Sequence, residues 1–207
     1  MKHKSRTAWK CRRPTLFRWR AAITRFGAQS SAATALEFAM VVPVFLVLVI
    51  ETFQLGLYFY TSASLNYATS EAARQILTGA VGQQGLTASQ FLTNVLCPAL
   101  PGSMSCASVV TNVVSVPEAI APGGFYAFLN ANQTGIAPPA VMENSQTNFC
   151  PGSTGSYIYL QVYYAMPVVS PIWTAFAVSW NGGNVHFVSA FAAFKNEPFQ
   201  STTQAGC

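Results

Sequence analysis

A long apolar stretch near the N-terminus constrains the fold of this chain more than any other feature. Leu36–Tyr60 is almost wholly apolar, and no charged residue interrupts it between Glu37 and Glu51. Since an α-helix rises about 1.5 Å per residue, a helix of this length crosses the roughly 30 Å hydrocarbon core of a bilayer. The sequence therefore predicts a single membrane-spanning helix at about residues 36–60.

Basic residues are concentrated ahead of the apolar stretch. Nine of the eleven lysines and arginines precede Gly27, and only Arg74 and Lys195 follow it. Short Lys/Arg-rich flanks remain on the cytoplasmic side of a membrane helix, which predicts a cytoplasmic N-terminus and an extracytoplasmic C-terminus. Basic tails also bind nucleic acid or anionic lipid. Because the topology already explains the charge, we expect no nucleic-acid partner.

The five cysteines divide in the same way. Cys11 lies on the predicted cytoplasmic side, where thiols stay reduced, and the other four lie beyond the apolar stretch. An even number in an oxidising compartment indicates disulfides, and of the three possible pairings we favour Cys97–Cys106 with Cys150–Cys207. A zinc site is the competing interpretation, but neither a CxxC spacing nor a nearby histidine supports it.

A cleaved secretory signal is the alternative explanation of the apolar stretch. Such signals have apolar cores of about 7–15 residues followed by small residues. Thr61-Ser62-Ala63 matches such a cleavage site weakly. The length of the stretch, the presence of Glu51 and the continued helical pattern favour a retained helix.

Helical periodicity continues beyond Tyr60. Small and apolar residues recur at intervals of three and four, and Thr78-Gly79 provides a C-terminal stop. The sequence predicts one helix from about Ala33 to Leu77, the first half in lipid and the second packed on an exported domain. Pro43 removes a backbone donor and clashes with the preceding turn, which predicts a kink. The periodic residues are Leu65, Ala68, Thr69, Ala72, Ala73, Ile76 and Leu77.

The two carboxylates of the apolar stretch require explanation. Glu37 stands at its beginning and Glu51 lies towards its end. An ionised group in hydrocarbon is costly and usually has a function and a partner. A position at the lipid boundary explains either residue without a function. We favour the boundary explanation for Glu51, and for Glu37 both explanations stay open.

Three segments of the long predicted helix form a combined motif. Residues 32–43 read AATALEFAMVVP, residues 50–53 read IETF, and residues 68–74 read ATSEAAR. Together they resemble the TadE-like pseudopilins of bacterial tight-adherence (Flp-type, type IVc) pilus systems. Residues 192–199, AAFKNEPF, are similar to the C-terminal signature of many members. The resemblance implies a non-enzymatic minor pilin or pseudopilin in the bacterial cytoplasmic membrane, which would enter the pilus after processing.

The resemblance also implies a processing event and a set of partners. A prepilin peptidase would cut between Ala32 and Ala33, and the carboxylate of Glu37 would then pair with the new α-amino group of a neighbouring subunit. Further partners would be other pilin-like subunits and tight-adherence assembly proteins. The family usually has glycine before the cut, where this chain has Ala32. Without cleavage, the protein would be a permanent single-pass anchor that presents an extracytoplasmic binding domain.

The sequence predicts an α+β fold with a pilin-like domain and an antiparallel sheet. The parts are a basic leader at 1–31, the long helix at 32–78 and an exported domain at 79–207. Thr87–Gln90 matches a capping box before a short helix, and Trp180–Asn184 has the composition of a hairpin turn. Pro117–Ser156 allows no reliable placement of elements. The expected strands are Ala107–Val116, Tyr157–Met166, Trp173–Ser179 and Val185–Phe194.

Catalytic chemistry has little support in the sequence. The chain has no aspartate, and His186 is its only histidine outside the basic tail. Its place in a strand predicts a solvent- or edge-facing side chain. Without a Ser/His/Asp set or a phosphate loop, we expect no enzymatic activity, no cofactor and no metal, and an exported enzyme with a hidden site is the last alternative.

A tyrosine stripe marks one face of the second predicted strand. It consists of Tyr157, Tyr159 and Tyr163. Such a stripe forms an adhesive surface or, more often, packs against a helix.

Overall fold

The structure is a computed structural model that describes residues 30–116, 124–134, 136–139, 141–145 and 147–198, without the side chains of residues 30–33, 124 and 127. The chain divides into two compact units between Ile50 and Glu51. A long N-terminal helix is followed by a four-stranded antiparallel sheet, which confirms the predicted α+β class.

Helix α1 spans Ser30–Leu77 and contains Pro43 without interruption. Its apolar half, residues 34–50, exposes most of its side chains. By length and apolar character, α1 is a candidate membrane span within the described residues. The predicted stop is confirmed, since Gly79 has a φ of 77° directly after the helix. The kink at Pro43 stays a prediction.

Short helical segments follow α1. The predicted capping box is present, because Thr87 Oγ1 accepts from the Gln90 N–H and the Gln90 side chain accepts from the Thr87 N–H. It begins an irregular helical run that includes a π-helical turn. The segments are α2 (Ala80–Gln83), α3 (Ala88–Phe91), the π-helical turn (Leu92–Leu96), α4 (Cys97–Ala99) and a 3₁₀ turn (Cys106–Ser108).

The sheet has the strand order β1-β2-β4-β3, and every pair is antiparallel. Tyr157 pairs with Val116 of β1 on one side and with Lys195 of β4 on the other. The strands are β1 (Val109–Val116), β2 (Tyr157–Pro167), β3 (Val178–Trp180) and β4 (Gly183–Lys195).

One face of the sheet forms the hydrophobic core with the second half of α1. Alternate residues of β2 point into this core, as the two-residue period of a strand requires. The small and apolar residues that recur along α1 supply the other side, which confirms the predicted packing. The core includes Leu65, Ala68, Ala72, Ile76, Phe91, Leu96, Val113, Ile158, Leu160, Val162 and Val188.

The opposite face carries the tyrosine stripe, and the structure corrects both of its interpretations. Tyr159 and Tyr163 are buried, so they form no exposed adhesive surface. Tyr159 stacks on Phe128, and Phe191 lies beside both tyrosines. The cover is therefore the short 3₁₀ segment Gly124–Phe128, not an α-helix, and Phe191 lies beside the tyrosines on the same face of the sheet.

The predicted third strand is largely wrong. Trp173–Phe176 forms a 3₁₀ turn, and β3 comprises only three residues that pair with the start of β4. The predicted hairpin turn is present: Asn181 and Gly182 have φ values of 46° and 79°, the positive values that a type I′ turn requires. The apolar residues Trp173–Phe176 resembled a strand in composition, but Trp173 packs on Tyr58 of α1 and the segment does not pair with β4.

Candidate functional site

Three of the residues singled out by the sequence, Ala32, Ala33 and Glu37, lie in the N-terminal part of α1. Glu37 is exposed among exposed apolar neighbours. Among the described residues, it has neither a hydrogen-bond nor an ion-pair partner. Ala32 and Ala33 are helical, and their side chains lie outside the described residues. A carboxylate in this position is open to a cationic group of another molecule.

Glu51, by contrast, has hydrogen-bond partners from a distant loop. Ser170 Oγ donates to Glu51 Oε1, and the Ile172 N–H reaches the same oxygen at 3.4 Å. One helical turn further along, Gln54 Oε1 accepts from the Val169 N–H at 3.2 Å. We call Glu51, Gln54 and Ser170 the clasp. It attaches a loop before β3 to the end of the apolar stretch.

The clasp also organises the loop that it holds. Ser170 Oγ accepts from the Ile172 and Trp173 N–H groups at 3.2 and 3.3 Å, so one hydroxyl fixes the beginning of the 3₁₀ turn. Gln54 and Ser170 are almost completely buried, with 2% and 0% of their surface exposed. The sequence analysis missed this role of Glu51. The three-residue spacing of Glu51 and Gln54, which places both on one helix face, was the available signal.

An aromatic cluster lies beside the clasp and contains His186. The ring centroid of His186 is 5.9 Å from that of Tyr58 and 5.3 Å from that of Trp173. His186 is half-buried and pairs with Met166 on one side only, since β3 reaches no further than Val185. The predicted edge position is therefore confirmed, but the side chain packs against aromatic rings on the face that carries the core. Among the described residues, its ring neighbours are Tyr58 and Trp173, and no serine or carboxylate is hydrogen-bonded to it.

The alanine-rich stretch of α1 has a packing role. Ala68 and Ala72 are fully buried in the core, and Ala73 is nearly so. Small side chains let the helix backbone approach the sheet closely. Arg74 and Glu71 form an exposed ion pair at 3.3 Å, which contributes little to stability.

The C-terminal segment closes the same domain against the end of α1. Asn196 is buried, and its side chain donates to Pro151 O at 2.9 Å. The Glu197 N–H donates to Leu77 O at 3.1 Å. The segment that follows β4 is therefore part of the folded domain up to the limit of the described residues.

The cysteines follow the favoured pattern where the structure describes them. Cys97 and Cys106 form a disulfide with their Cα atoms 5.6 Å apart. Cys150 is also disulfide-bonded, whereas Cys207 and Cys11 lie outside the described residues. The pairing Cys150–Cys207 therefore stays a prediction. Within the described part of the chain, no group of three His, Cys, Asp or Glu residues is arranged to hold a metal.

Comparison with known protein families gives a match that lies within α1. The family model described as TadE-like protein matches residues 32–74. This range contains Glu37, Glu51 and the buried alanines. No curated protein and no solved structure matches the chain.

Proposed function

We propose that this chain is a minor pilin or pseudopilin of a tight-adherence pilus, and the match of residues 32–74 to the TadE-like family model supports the proposal. It is anchored in the bacterial cytoplasmic membrane by α1 and presents its α+β domain outside the cytoplasm. Its role in this proposal is structural assembly, without catalysis. The basic segment before Gly27 supports a cytoplasmic N-terminus.

The unpartnered carboxylate of Glu37 is the observation that carries this proposal. The apolar half of α1 offers it no cation among the described residues, although a charge in hydrocarbon requires compensation. A neighbouring subunit with a free α-amino group would provide it. Glu51 needs no such partner, because Ser170 Oγ and the Ile172 N–H already donate to its carboxylate.

Processing by a prepilin peptidase creates that amino group. Cleavage between Ala32 and Ala33 leaves Glu37 as the fifth residue of the mature chain. The mature helices then associate through apolar and small residues, and Ala33, Ala35 and Ala39 allow close approach. Other pilin-like subunits and the assembly proteins of the pilus are the partners in this proposal.

The alanine at position 32 favours a second candidate function. Since the family usually has glycine before the cut, an uncut chain would remain a permanent single-pass anchor. Its extracytoplasmic domain would then act as a binding module. In that case Glu37 would have no new amino group to meet, and its substitution would leave assembly unchanged.

Substitution of Glu37 tests the proposal. Glu37→Ala should leave membrane insertion intact, measured by resistance to alkaline extraction, while pilus formation falls sharply. Glu37→Gln keeps the size and polarity of the side chain without its charge, so it should fail in the same way. Glu71→Ala is the matched control, because it removes a carboxylate of the same helix that already has a partner in Arg74. Normal piliation by both Glu37 variants would contradict the proposed pairing.

A further inference from the structure

The loop held by the clasp exposes an unusual amount of apolar surface. Val169, Ile172 and Phe176 expose 75%, 54% and 73% of their surfaces. No lysine, arginine, aspartate or glutamate occurs between Glu143 and Lys195, so no nearby charge in sequence offsets this surface. We call residues 168–177 the collar. Large exposed apolar side chains concentrated in one segment indicate a contact site with a protein or a membrane.

We propose that the collar lies in the interfacial layer of the membrane that α1 crosses, with Val169, Ile172 and Phe176 in contact with phospholipid. This inference rests on the membrane anchoring proposed above. It adds a second membrane contact to a chain whose family match ends at residue 74.

The position of the clasp along α1 identifies the occupant as lipid. About 20 helical residues cross the hydrocarbon core, so hydrocarbon that begins near Leu36 ends near Leu55, and the rest of the predicted span, up to Tyr60, lies in the interfacial layer. Glu51 and Gln54 lie in the last turns before the hydrocarbon ends, and they hold the collar at that level. The exposed apolar side chains of the collar therefore lie at the level of Glu51 and Gln54, where the hydrocarbon ends.

The backbone of the collar is suited to this environment. A segment that leaves water must satisfy its N–H and C=O groups internally. The Val169 and Ile172 N–H groups bond to the clasp, and most other collar N–H groups bond to carbonyls. These further bonds run from the N–H groups of residues 168, 174, 175 and 177 to the carbonyls of residues 184, 170, 172 and 174.

The aromatic residues beside the collar fit the same location. Trp173 packs on Tyr58 with ring centroids 5.5 Å apart. Tryptophan and tyrosine are enriched where a membrane protein passes from hydrocarbon to headgroups. In this arrangement, the collar also gives the side-chain oxygens of Glu51 and Gln54 a hydrogen-bond donor from the same chain at the level of the lipid.

Quenching by brominated phospholipids tests the proposal in the full chain reconstituted in vesicles. Trp9, Trp19, Trp173 and Trp180 are replaced by phenylalanine, and one tryptophan is returned at a chosen position. Phe176→Trp reports on the collar. Phe45→Trp reports on the apolar half of α1, and Tyr67→Trp is the control, because Tyr67 is equally exposed but lies 16 residues beyond Glu51.

The three positions distinguish the collar from the anchor. We expect loss of fluorescence at Phe45→Trp and Phe176→Trp, with bromines near the headgroups most effective at Phe176→Trp, and none at Tyr67→Trp. Quenching at Phe45→Trp without quenching at Phe176→Trp would overturn the collar proposal and leave the anchor intact. Absence of quenching at Phe45→Trp would overturn both.

A second measurement requires no substitution. The unaltered chain is reconstituted with phospholipids that carry a photoactivatable diazirine at the upper acyl chain, and adducts are located by peptide mass mapping. Adducts within residues 168–177 support the proposal. Adducts in α1 without adducts in the collar would overturn it.

Discussion

Ser170 donates a hydrogen bond to Glu51 across a sequence separation of 119 residues. This contact distinguishes the two carboxylates of the apolar stretch. Glu51 is satisfied within its own chain, whereas Glu37 has no partner among the described residues. The same helix therefore carries one acidic residue that is hydrogen-bonded within its own chain and one that, in the proposed function, pairs with a neighbouring subunit.

Removal of either Glu51 or Ser170 should weaken the attachment of the collar to α1 and destabilise the protein. Because a hydrogen bond to a charged group contributes about 1.5–3 kcal/mol, Glu51→Ala and Ser170→Ala should each lower the free energy of unfolding by roughly this amount. Denaturation in detergent micelles, followed by tryptophan fluorescence, measures the change. The double variant should cost clearly less than the sum of the single variants. Strict additivity would show that the two residues do not interact.

The elements predicted correctly depend on local sequence signals. The periodicity of α1, the capping box at Thr87 and the Asn181-Gly182 turn each require only neighbouring residues. The clasp was not predicted, because no sequence rule relates Glu51 to a serine more than a hundred residues away. Trp173–Ala177, the second half of the collar, was interpreted as part of a strand for the same reason: the partners of its backbone and of Trp173 lie in the collar itself and on α1, and not in a neighbouring strand.

For the tyrosine stripe and His186, the sequence likewise does not determine which tertiary contacts the side chains make. Alternation along β2 and β4 predicted which residues share a face, and the register confirms that pattern. What covers each face depends on tertiary contacts. The turn that contains Phe128 lies in a stretch rich in glycine, proline and asparagine, where the sequence permitted no assignment.

An enlarged side chain at Ala72 should destabilise the domain. Ala72 is fully buried between α1 and the sheet, so Ala72→Leu forces added atoms into a filled core and should cost about 1–3 kcal/mol of unfolding free energy. Ala63→Leu makes the same change at an exposed position of the same helix and should be nearly neutral. Equal effects of the two variants in chemical denaturation would contradict the described packing.

The disulfides give a prediction that extends beyond the described residues. Peptide mapping without reduction should recover Cys97 linked to Cys106 and Cys150 linked to Cys207, with Cys11 as a free thiol. The first pair closes a short loop, with a sequence separation of 9, and its removal in Cys97→Ser/Cys106→Ser should cost about 2–3 kcal/mol. Cys11→Ser is the control and should have no effect on stability. A peptide that links Cys150 to Cys11 would contradict the predicted topology.

The buried tyrosines should make the domain sensitive to alkali. Burial raises the pKa of Tyr159 and of Tyr163 above the ordinary value of 10.0. Above about pH 10 the unfolded chain releases these protons while the folded chain retains them, so stability falls as the pH rises. Denaturation from about pH 8 to 11 should show this loss, and Tyr159→Phe should reduce it. Tyr126→Phe, at an exposed tyrosine, should retain the wild-type dependence.

The N-terminus of the protein in its native membrane tests the central claim most directly. Intact mass combined with N-terminal sequencing of the extracted protein locates the first residue of the mature chain. We predict that this residue is Ala33, which would make Glu37 the fifth residue beside a free α-amino group. A chain that retains Met1 or Lys2 would contradict processing and establish a permanent anchor. A start near Ser64 would show ordinary secretion and contradict the pilin assignment altogether.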